Sequence, residues 1–265
     1  MHRTQARGAL SAHAIWGGAV ALTARLSLLG GFRLEVDGQP HPVPASARRL
    51  LALLAVVHQG RRASRSALAE MMRPDSDPAR ATSTLRSVLW RLPRDRGRAL
   101  VLGDALEVWL HPELRVDLWE AEKQARVLCG SDAPAVEELP DLSLLTQDLL
   151  PSWHDDWLSV EQESFRQRRL HALERGADLL CHAGRYHDAL SAGLGAVRSE
   201  PLRESAHRRV IQVHLAEDNH AEALRQYDHY RRLLASELGL APSATIRRLV
   251  APLLGRPVDL PAGRD

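Results

Sequence analysis

Cysteine, lysine and aromatic residues are all scarce in this chain of 265 residues. Its two cysteines cannot form a disulfide framework or a four-ligand zinc site, which is typical of a reducing compartment. Only 4% of the residues are aromatic, so Leu, Ala and Val must fill the interior, a composition that favours helices. No stretch approaches the ~20 consecutive apolar residues that a membrane-spanning helix needs. We therefore expect a mainly helical, cytoplasmic protein of two domains without a membrane partner.

Arginine takes the place of lysine almost everywhere, since Lys123 is the only lysine among 35 basic residues. A GC-rich genome is sufficient to explain this total, and the net charge of +2 decides little. The positions of the arginines are more informative. A guanidinium group donates two hydrogen bonds at once, which suits contacts to phosphate and guanine.

Short strands are predicted at two places in the first half of the chain. Apolar and polar residues alternate from Arg25 to Val36, which is typical of half-buried strands, and Asp37-Gly38 predicts a tight hairpin turn. Two further apolar runs flank Gly103-Asp104 and predict a second hairpin.

Three helices are predicted between these two groups of strands. Ser46 and Ser64 are the expected N-caps of the first two, and Asp77 is the expected N-cap of the third, with Pro78 at its first position. A sheet, three helices and a hairpin in this order predict a winged helix. In that arrangement the third helix enters the major groove of DNA and the hairpin contacts the backbone.

The third helix has an apolar side and a polar side when its residues are placed 100° apart. The side predicted to face the core carries Ala81, Leu85, Val88, Leu89 and Leu92. The opposite side carries Arg80, Ser83, Arg86, Ser87, Trp90 and Arg91, which we predict to contact DNA. The alternative is a solvated surface helix whose charges have no function. Because exposed tryptophan is rare, we expect Trp90 to pack against the hairpin or a neighbouring domain.

Arginines beside the first two helices are predicted to reach DNA phosphates. They are Arg48, Arg49, Arg61, Arg62 and Arg65.

The second half of the chain contains an internal repeat. AGRYHDAL (Ala183–Leu190) and EDNHAEAL (Glu217–Leu224) start 34 residues apart, which is the period of tetratricopeptide repeats. Two such repeats with flanking helices predict a short solenoid with a concave face. Tyr186, Tyr227 and Tyr230 either line that groove or, as we favour, fill gaps between helices. Trp153 and Trp157 are expected to anchor a helix to the solenoid.

Several stretches in combination resemble the bacterial transcriptional activators of the antibiotic-regulatory (SARP) type. They include LLGGFRLEVDGQP (Leu28–Pro40), ARATSTLRSVLWRL (Ala79–Leu92) and ELGLAPS (Glu237–Ser243). The resemblance implies an OmpR-like winged helix followed by a tetratricopeptide-like bacterial transcriptional activator domain. It also implies binding to double-stranded promoter DNA, as a homodimer or as tandem monomers on direct repeats, and recruitment of RNA polymerase through its sigma or alpha subunit. The recognition positions of the family add Thr84 to the predicted DNA contacts.

The chain departs from this family in the third helix and the hairpin. Pro93 directly follows Leu92, whereas the family continues the helix, and the hairpin GDALEVWL (Gly103–Leu110) lacks a glycine-tyrosine pair. The second helix ends in Met71-Met72 instead of the usual Leu-Trp. These differences bear on DNA affinity more than on fold.

The predicted fold class is therefore mainly α, with an N-terminal winged helix-turn-helix (α+β) followed by an all-α tetratricopeptide-like domain. We predict a disordered extension over residues 1–24, a winged helix over 25–115, a helical activator domain over 116–255 and a tail over 256–265. Residues 9–22 resemble a secretion signal only faintly. Residues 130–140 are predicted to form an acidic loop.

No motif predicts catalysis, a metal site or a cofactor. The histidines do not form the i, i+4 pair with a nearby acid that a zinc helix needs, and neither a phosphate-binding loop nor a G-x-S-x-G motif occurs. We predict a transcriptional regulator that is not an enzyme. The main alternative is a protein-interaction module whose winged helix has lost DNA affinity, and a weaker one is a small-molecule sensor that uses the solenoid groove.

Overall fold

The computed structural model describes residues 22–130, 139 and 141–254, and these residues form three small sheets of short strands and nine α-helices. The strands are β1 (Arg25–Ser27), β2 (Arg33–Val36), β3 (Gln39–Pro40), β4 (Ala63–Ser64), β5 (Arg94–Asp95), β6 (Arg98–Ala99), β7 (Val101–Gly103), β8 (Glu107–Leu110) and β9 (Arg115–Val116). The helices are α1 (Ala45–Val56), α2 (Arg65–Met72), α3 (Pro78–Arg91), α4 (Asp117–Cys129), α5 (Asp156–His182), α6 (Tyr186–Ser199), α7 (Glu204–Ala216), α8 (His220–Leu238) and α9 (Ala244–Leu254).

Parts of three predicted segments lie outside the described residues. They are residues 1–21 of the predicted extension, nearly all of the predicted loop 130–140, and the predicted tail 256–265. The remaining residues of the extension, Leu22 to Ala24, lead into β1, and both Leu22 and Ala24 are buried. The domain boundaries stay a prediction.

The first half of the described chain has the predicted order of sheet, three helices and hairpin. The first sheet runs β3-β2-β1-β9, with β1 antiparallel to β2 and parallel to β9. The predicted turn at Asp37-Gly38 is confirmed, and both residues have the positive φ (51° and 74°) that a tight hairpin requires. After α1, α2 and α3, strands β7 and β8 form the second predicted hairpin, and β4 pairs with β8 to complete a small sheet.

The predicted cap of α3 is confirmed, and Ser64 occupies the N-cap position of α2 without a capping hydrogen bond, whereas the predicted cap of α1 is wrong. The Asp77 carboxylate accepts a hydrogen bond from the backbone N–H of Ala79 at 2.9 Å. Helix α1 begins at Ala45 after Pro44, so Ser46 lies inside its first turn. Ser64 precedes α2, but its hydroxyl lies 2.9 Å from that of Ser66 and caps no backbone N–H. Neither helix begins with a side-chain cap: α1 follows Pro44, and α2 follows strand β4.

The core of the winged helix is aliphatic. The face of α3 predicted to point inward does so: Ala81, Leu85 and Val88 are buried, and the neighbouring Leu89 and Leu92 are half-buried. Helix α3 ends at Arg91, because Pro93 prevents its continuation. One apolar cluster continues from the first sheet through α1, α2 and α3 into α4 and α5.

The second half of the described chain is helical, and its predicted 34-residue period is confirmed in the backbone. The turn between α5 and α6 contains Gly184 (φ 73°), and the turn between α7 and α8 contains Asp218 (φ 57°) at the equivalent position. Each turn is closed by three backbone hydrogen bonds at matching positions. In the first turn they run from Ala183 to Leu179, Gly184 to Cys181 and Arg185 to Leu180, and in the second from Glu217 to Val213, Asp218 to Leu215 and Asn219 to His214.

Aromatic side chains fill gaps between elements. Tyr230 is buried, its ring 4.4 Å from that of His207, and Tyr186 and Tyr227 are half-buried, which supports the gap-filling interpretation. Trp153 stacks on Phe32 in the loop before β2, with ring centroids 6.0 Å apart and planes inclined by 15°. The expectation that Trp153 anchors a helix to the solenoid is therefore wrong, since its stacking partner belongs to the winged helix.

The segment Asp148–Asp155 joins the two halves of the described chain. The N–H of Leu150 donates to the carbonyl of Leu28 at 2.9 Å, and the N–H of Gly30 donates to the carbonyl of Asp148 at 2.8 Å. At the far end of the segment, Asp155 forms an ion pair with Arg49 on α1. These contacts, with a bridge between Leu29 and Leu149, continue the line of β1 beyond Ser27 and fix the helical half against the first sheet. No helix in the described ranges is both long and apolar enough to cross a membrane.

Replacing Leu85 by alanine is expected to destabilise the winged helix by about 2–5 kcal/mol, because the substitution leaves a cavity in a closely packed core. Leu85 is 1% exposed. Urea unfolding followed by circular dichroism measures the change. Ser83→Ala, on the exposed side of the same helix, is the control and should change the free energy of unfolding by less than about 0.5 kcal/mol. Equal losses in the two variants would show that α3 does not pack in this orientation.

The Phe32–Trp153 stack is expected to couple the two halves of the chain. In a double-mutant cycle with Phe32→Leu and Trp153→Leu, the interaction energy should be about 0.5–1.5 kcal/mol, the usual range for an aromatic pair beyond its burial. Denaturant unfolding of the two single variants and the double variant gives this value. Additive effects would contradict the stacking.

Candidate nucleic-acid interface

Helix α3 presents an open polar face on the side away from the core. Each of the predicted contact residues except Thr84 is exposed, and Thr84 is half-buried with its hydroxyl donating to the carbonyl of Arg80 at 3.0 Å. The exposed residues of this face are Arg80, Ser83, Arg86, Ser87, Trp90 and Arg91. The C-terminal helices do not cover this face, so a duplex can approach it.

The arginines of α3 have no internal partners. Within the described residues, the side chains of Arg80, Arg86 and Arg91 form no hydrogen bond or ion pair, and α3 itself contains no Asp or Glu. The acidic residue closest in sequence is Asp77, whose carboxylate caps the helix. Three guanidinium groups are thus held on one rigid element with their donors available to a ligand.

Trp90 is 86% exposed. The expectation that it packs against the hairpin or a neighbouring domain is therefore wrong. It lies at the end of α3 beside a shallow notch of about 360 Å³ that Leu92, Pro93 and Val101 help to line. Because Pro93 ends the helix within three residues, no further turn is present to cover the indole ring. Trp90 thus belongs to the open face.

The arginines of α1 and of the loop after it are placed differently from one another. Arg48 and Arg61 are exposed, and each donates to a backbone carbonyl of its own segment, Val43 at 3.0 Å and His58 at 3.2 Å. Arg49 points to the helical half instead, where it pairs with Asp155, and burial lowers the pKa of its guanidinium. Arg49 thus joins the two halves and is separate from the open face of α3.

Arg62 and Arg65 contact the hairpin formed by β7 and β8. Arg62 Nη1 lies 3.3 Å from Asp104 Oδ2 and 3.3 Å from Glu107 Oε2, and its guanidinium carbon is 4.2 Å from the centre of the Trp109 ring. Arg65 Nε donates to the carbonyl of Asp104 at 2.8 Å. No local sequence pattern indicates these contacts, because they join residues about 40 positions apart.

A cleft of about 800 Å³ separates the hairpin from α3. Its lining residues are Ser64, Arg65, Ser66, Thr82, Leu85, Arg86, Asp104, Ala105, Leu106 and Glu107. The tip of the hairpin is held by Asp104, whose Oδ1 accepts from the N–H groups of Leu106 (2.9 Å) and Glu107 (2.8 Å). These backbone hydrogen bonds are the main reason that the pKa of Asp104 lies below its usual value. The cleft has acidic residues on one wall and basic residues on the other.

The histidines and cysteines of the described ranges do not form a metal site, since no three His, Cys, Asp or Glu side chains cluster there. The buried His207 is held by the solenoid, where Nε2 lies 2.8 Å from the carbonyl of Pro201 and Nδ1 lies 2.9 Å from Gln226 Nε2. Burial lowers its pKa, and both ring nitrogens have partners when the ring is neutral. His207 therefore has a structural role.

Comparison with known proteins gives matches across the chain. Residues 132–254 match the bacterial transcriptional activator domain family. The regulatory protein AfsR of Streptomyces griseus is 24% identical over 266 aligned residues, which cover 92% of this chain and 26% of AfsR. The transcriptional regulatory protein MoaR1 of Mycobacterium bovis is 24% identical over 91% of this chain and 82% of its own length.

A solved structure shows the same fold over most of the chain. It is Mycobacterium tuberculosis EmbR in complex with a low affinity phosphopeptide, with a TM-score of 0.63 and 20% identity over 89% of this chain and 66% of that chain. At this identity the likeness supports the winged helix followed by a helical domain and says nothing of ligands. This chain spans about a quarter of the length of AfsR.

Trp90→Ser is expected to leave the free energy of unfolding unchanged to within about 0.5 kcal/mol, because the side chain is exposed. Trp119→Ser is the comparison: the Trp119 indole N–H donates to the carbonyl of Ala55 at 2.8 Å and its ring packs on the core. That substitution should cost more than about 1 kcal/mol from the lost hydrogen bond alone. Chemical denaturation of both variants tests the contrast, and a large loss in Trp90→Ser would place its ring in a packed environment.

Proposed function

We propose that this chain is a SARP-type transcriptional regulator and that its helix α3 binds the major groove of promoter DNA. Residues 132–254 match the bacterial transcriptional activator domain, which supports the assignment as a regulator. The observation that supports this proposal is the open face of α3. It holds three arginines without internal partners and two exposed serines on a helix with no acidic residue.

The chemistry of that face suits DNA. Arginine donates two parallel hydrogen bonds to guanine O6 and N7, and serine donates to bases or phosphates over a short distance. The hairpin stands beside α3 across the cleft, in the position from which a wing contacts the backbone. Arg48 and Arg61 are exposed and add positive charge near the start of α1 and the loop after it.

The helical half is the part that we assign to RNA polymerase. The segment Asp148–Asp155 fixes it to the first sheet by backbone hydrogen bonds, a stacked aromatic pair and an ion pair. A solenoid held rigidly in this way keeps one orientation relative to bound DNA. That orientation is what an activator needs in order to offer a surface to the sigma or alpha subunit. Tandem copies on direct repeats, or a homodimer, would present this surface twice.

Arg80→Ala and Arg91→Ala are each expected to weaken binding by about 1–3 kcal/mol if these side chains contact bases. Mobility-shift titrations with the DNA upstream of the gene encoding this chain, and with random-sequence DNA, measure the change. Arg225→Ala on α8 is the control for the lost charge, since Arg225 is exposed and pairs only with Glu222 among the described residues. An equal loss on both DNAs would assign the two arginines to phosphates instead of bases.

The same titrations separate the regulator from the alternative function. If the wild-type chain shows no salt-sensitive binding to either DNA, the winged helix is a docking surface and the chain is a protein-interaction module. Genome-wide footprinting of the tagged protein then tests whether it occupies promoters in cells, and a defined set of occupied promoters supports the regulator.

A further inference from the structure

A compact group of opposite charges lies at the turn of the hairpin beside α3. The guanidinium group of Arg62 is within 3.3 Å of the carboxylates of Asp104 and Glu107, and it covers the ring of Trp109 at 4.2 Å. Arg62 directly precedes β4, which pairs with β8 and so brings Arg62 to the hairpin. The cluster is therefore fixed by strand pairing.

The two carboxylates of this cluster have different hydrogen-bond partners. Asp104 holds the turn of the hairpin through two backbone N–H groups. The Glu107 carboxylate has Arg62 as its one hydrogen-bond or ion-pair partner within the described residues. Exposed ion pairs of this kind contribute little to stability. The Arg62 side chain is 58% exposed and that of Glu107 is 40% exposed. Folding therefore does not require a carboxylate at position 107.

Glu107 also lies beside the path that DNA takes in the proposed function. It lines the cleft between the hairpin and α3, opposite Arg86. Among the described residues the arginines of α3 have no acidic partner, whereas Arg62, at the hairpin, is paired with two carboxylates of the protein itself. A carboxylate at this place repels a phosphate and competes with it for Arg62.

We propose that Glu107 determines the selectivity of DNA binding because, together with Asp104, it holds the guanidinium group of Arg62, which would otherwise contact a phosphate. This proposal rests on the proposed function. A phosphate contact strengthens binding to every sequence alike, whereas base contacts distinguish sequences. With Arg62 held by Glu107, non-specific affinity falls, and the contacts made by α3 account for a larger share of the total.

Glu107→Gln keeps the size of the side chain and removes its charge. We expect tighter binding to a labelled random-sequence duplex and a steeper salt dependence. One added phosphate contact steepens the log-log slope by about 0.9, so the loss of affinity between about 50 and 200 mM salt should be roughly threefold larger than in the wild type. Glu217→Gln is the matched control, because Glu217 is an exposed glutamate in the α7–α8 turn and gives the same change in net charge.

A second substitution identifies Arg62 as the residue released. Arg62→Gln should change the salt slope little in the wild-type chain, but it should return the slope of Glu107→Gln to the wild-type value. A steeper slope that persists in the double variant would overturn the proposal, because the added contact would then come from another group. Circular dichroism of each variant verifies that the hairpin and α3 remain folded.

The outcomes separate this proposal from the proposed function. If the wild type binds DNA and Glu107→Gln behaves like Glu217→Gln, the role of Glu107 is refuted and DNA binding stands. If the wild-type chain has no salt-sensitive binding, DNA binding is refuted, and the role of Glu107 falls with it.

Discussion

The attachment of Asp148–Asp155 to the residues that follow β1 is the constraint on which the arrangement of this protein depends. Gly30 is central to it, because its N–H bonds to the Asp148 carbonyl and its φ is +72°. Any other residue at Gly30 would strain the backbone at this φ, and its Cβ would lie 2.9 Å from Gln147 Oε1, so the Gln147 side chain would have to move. The bridge between Leu29 and Leu149 and the backbone hydrogen bonds beside it would alone be too weak to hold a helical domain. The apolar cluster that continues beneath them gives the attachment its stability.

This attachment also decides which surface of the winged helix remains open. The helical half is fixed through the first sheet and through Arg49 on α1, and α3 stays exposed on its polar side. Arg49 of the basic set thus joins the two halves, whereas the arginines of α3 have no hydrogen-bond or ion-pair partner among the described residues. Proximity in sequence does not distinguish these two kinds of arginine, since Arg48 and Arg49 are neighbours with different environments.

Features that depend on local periodicity could be predicted from the sequence, and features that depend on long-range pairing could not. The inward side of α3 and the 34-residue repeat follow from helix geometry and are confirmed by Leu85 and by the matching turns at Gly184 and Asp218. Trp153 was assigned to the wrong neighbour, because its partner Phe32 is more than a hundred positions away and no periodic pattern connects them. The pairing of Arg62 with Glu107 was missed for the same reason. The predicted DNA contacts stay a prediction.

In the proposed complex, the short length of α3 limits the number of base pairs that one copy of this protein can contact. A helix of 14 residues is about 21 Å long. In the proposed complex only its outer face would reach the bases, and Pro93 prevents a further helical turn. The hairpin adds little positive charge, since its acidic residues neutralise Arg62. Affinity from a single winged helix is therefore modest. When two copies are linked, binding of the first copy raises the effective concentration of the second at its half-site, so the total affinity increases without any new contact. If α3 is the recognition helix, its size favours paired half-sites, which agrees with the tandem arrangement that we propose for this chain on direct repeats.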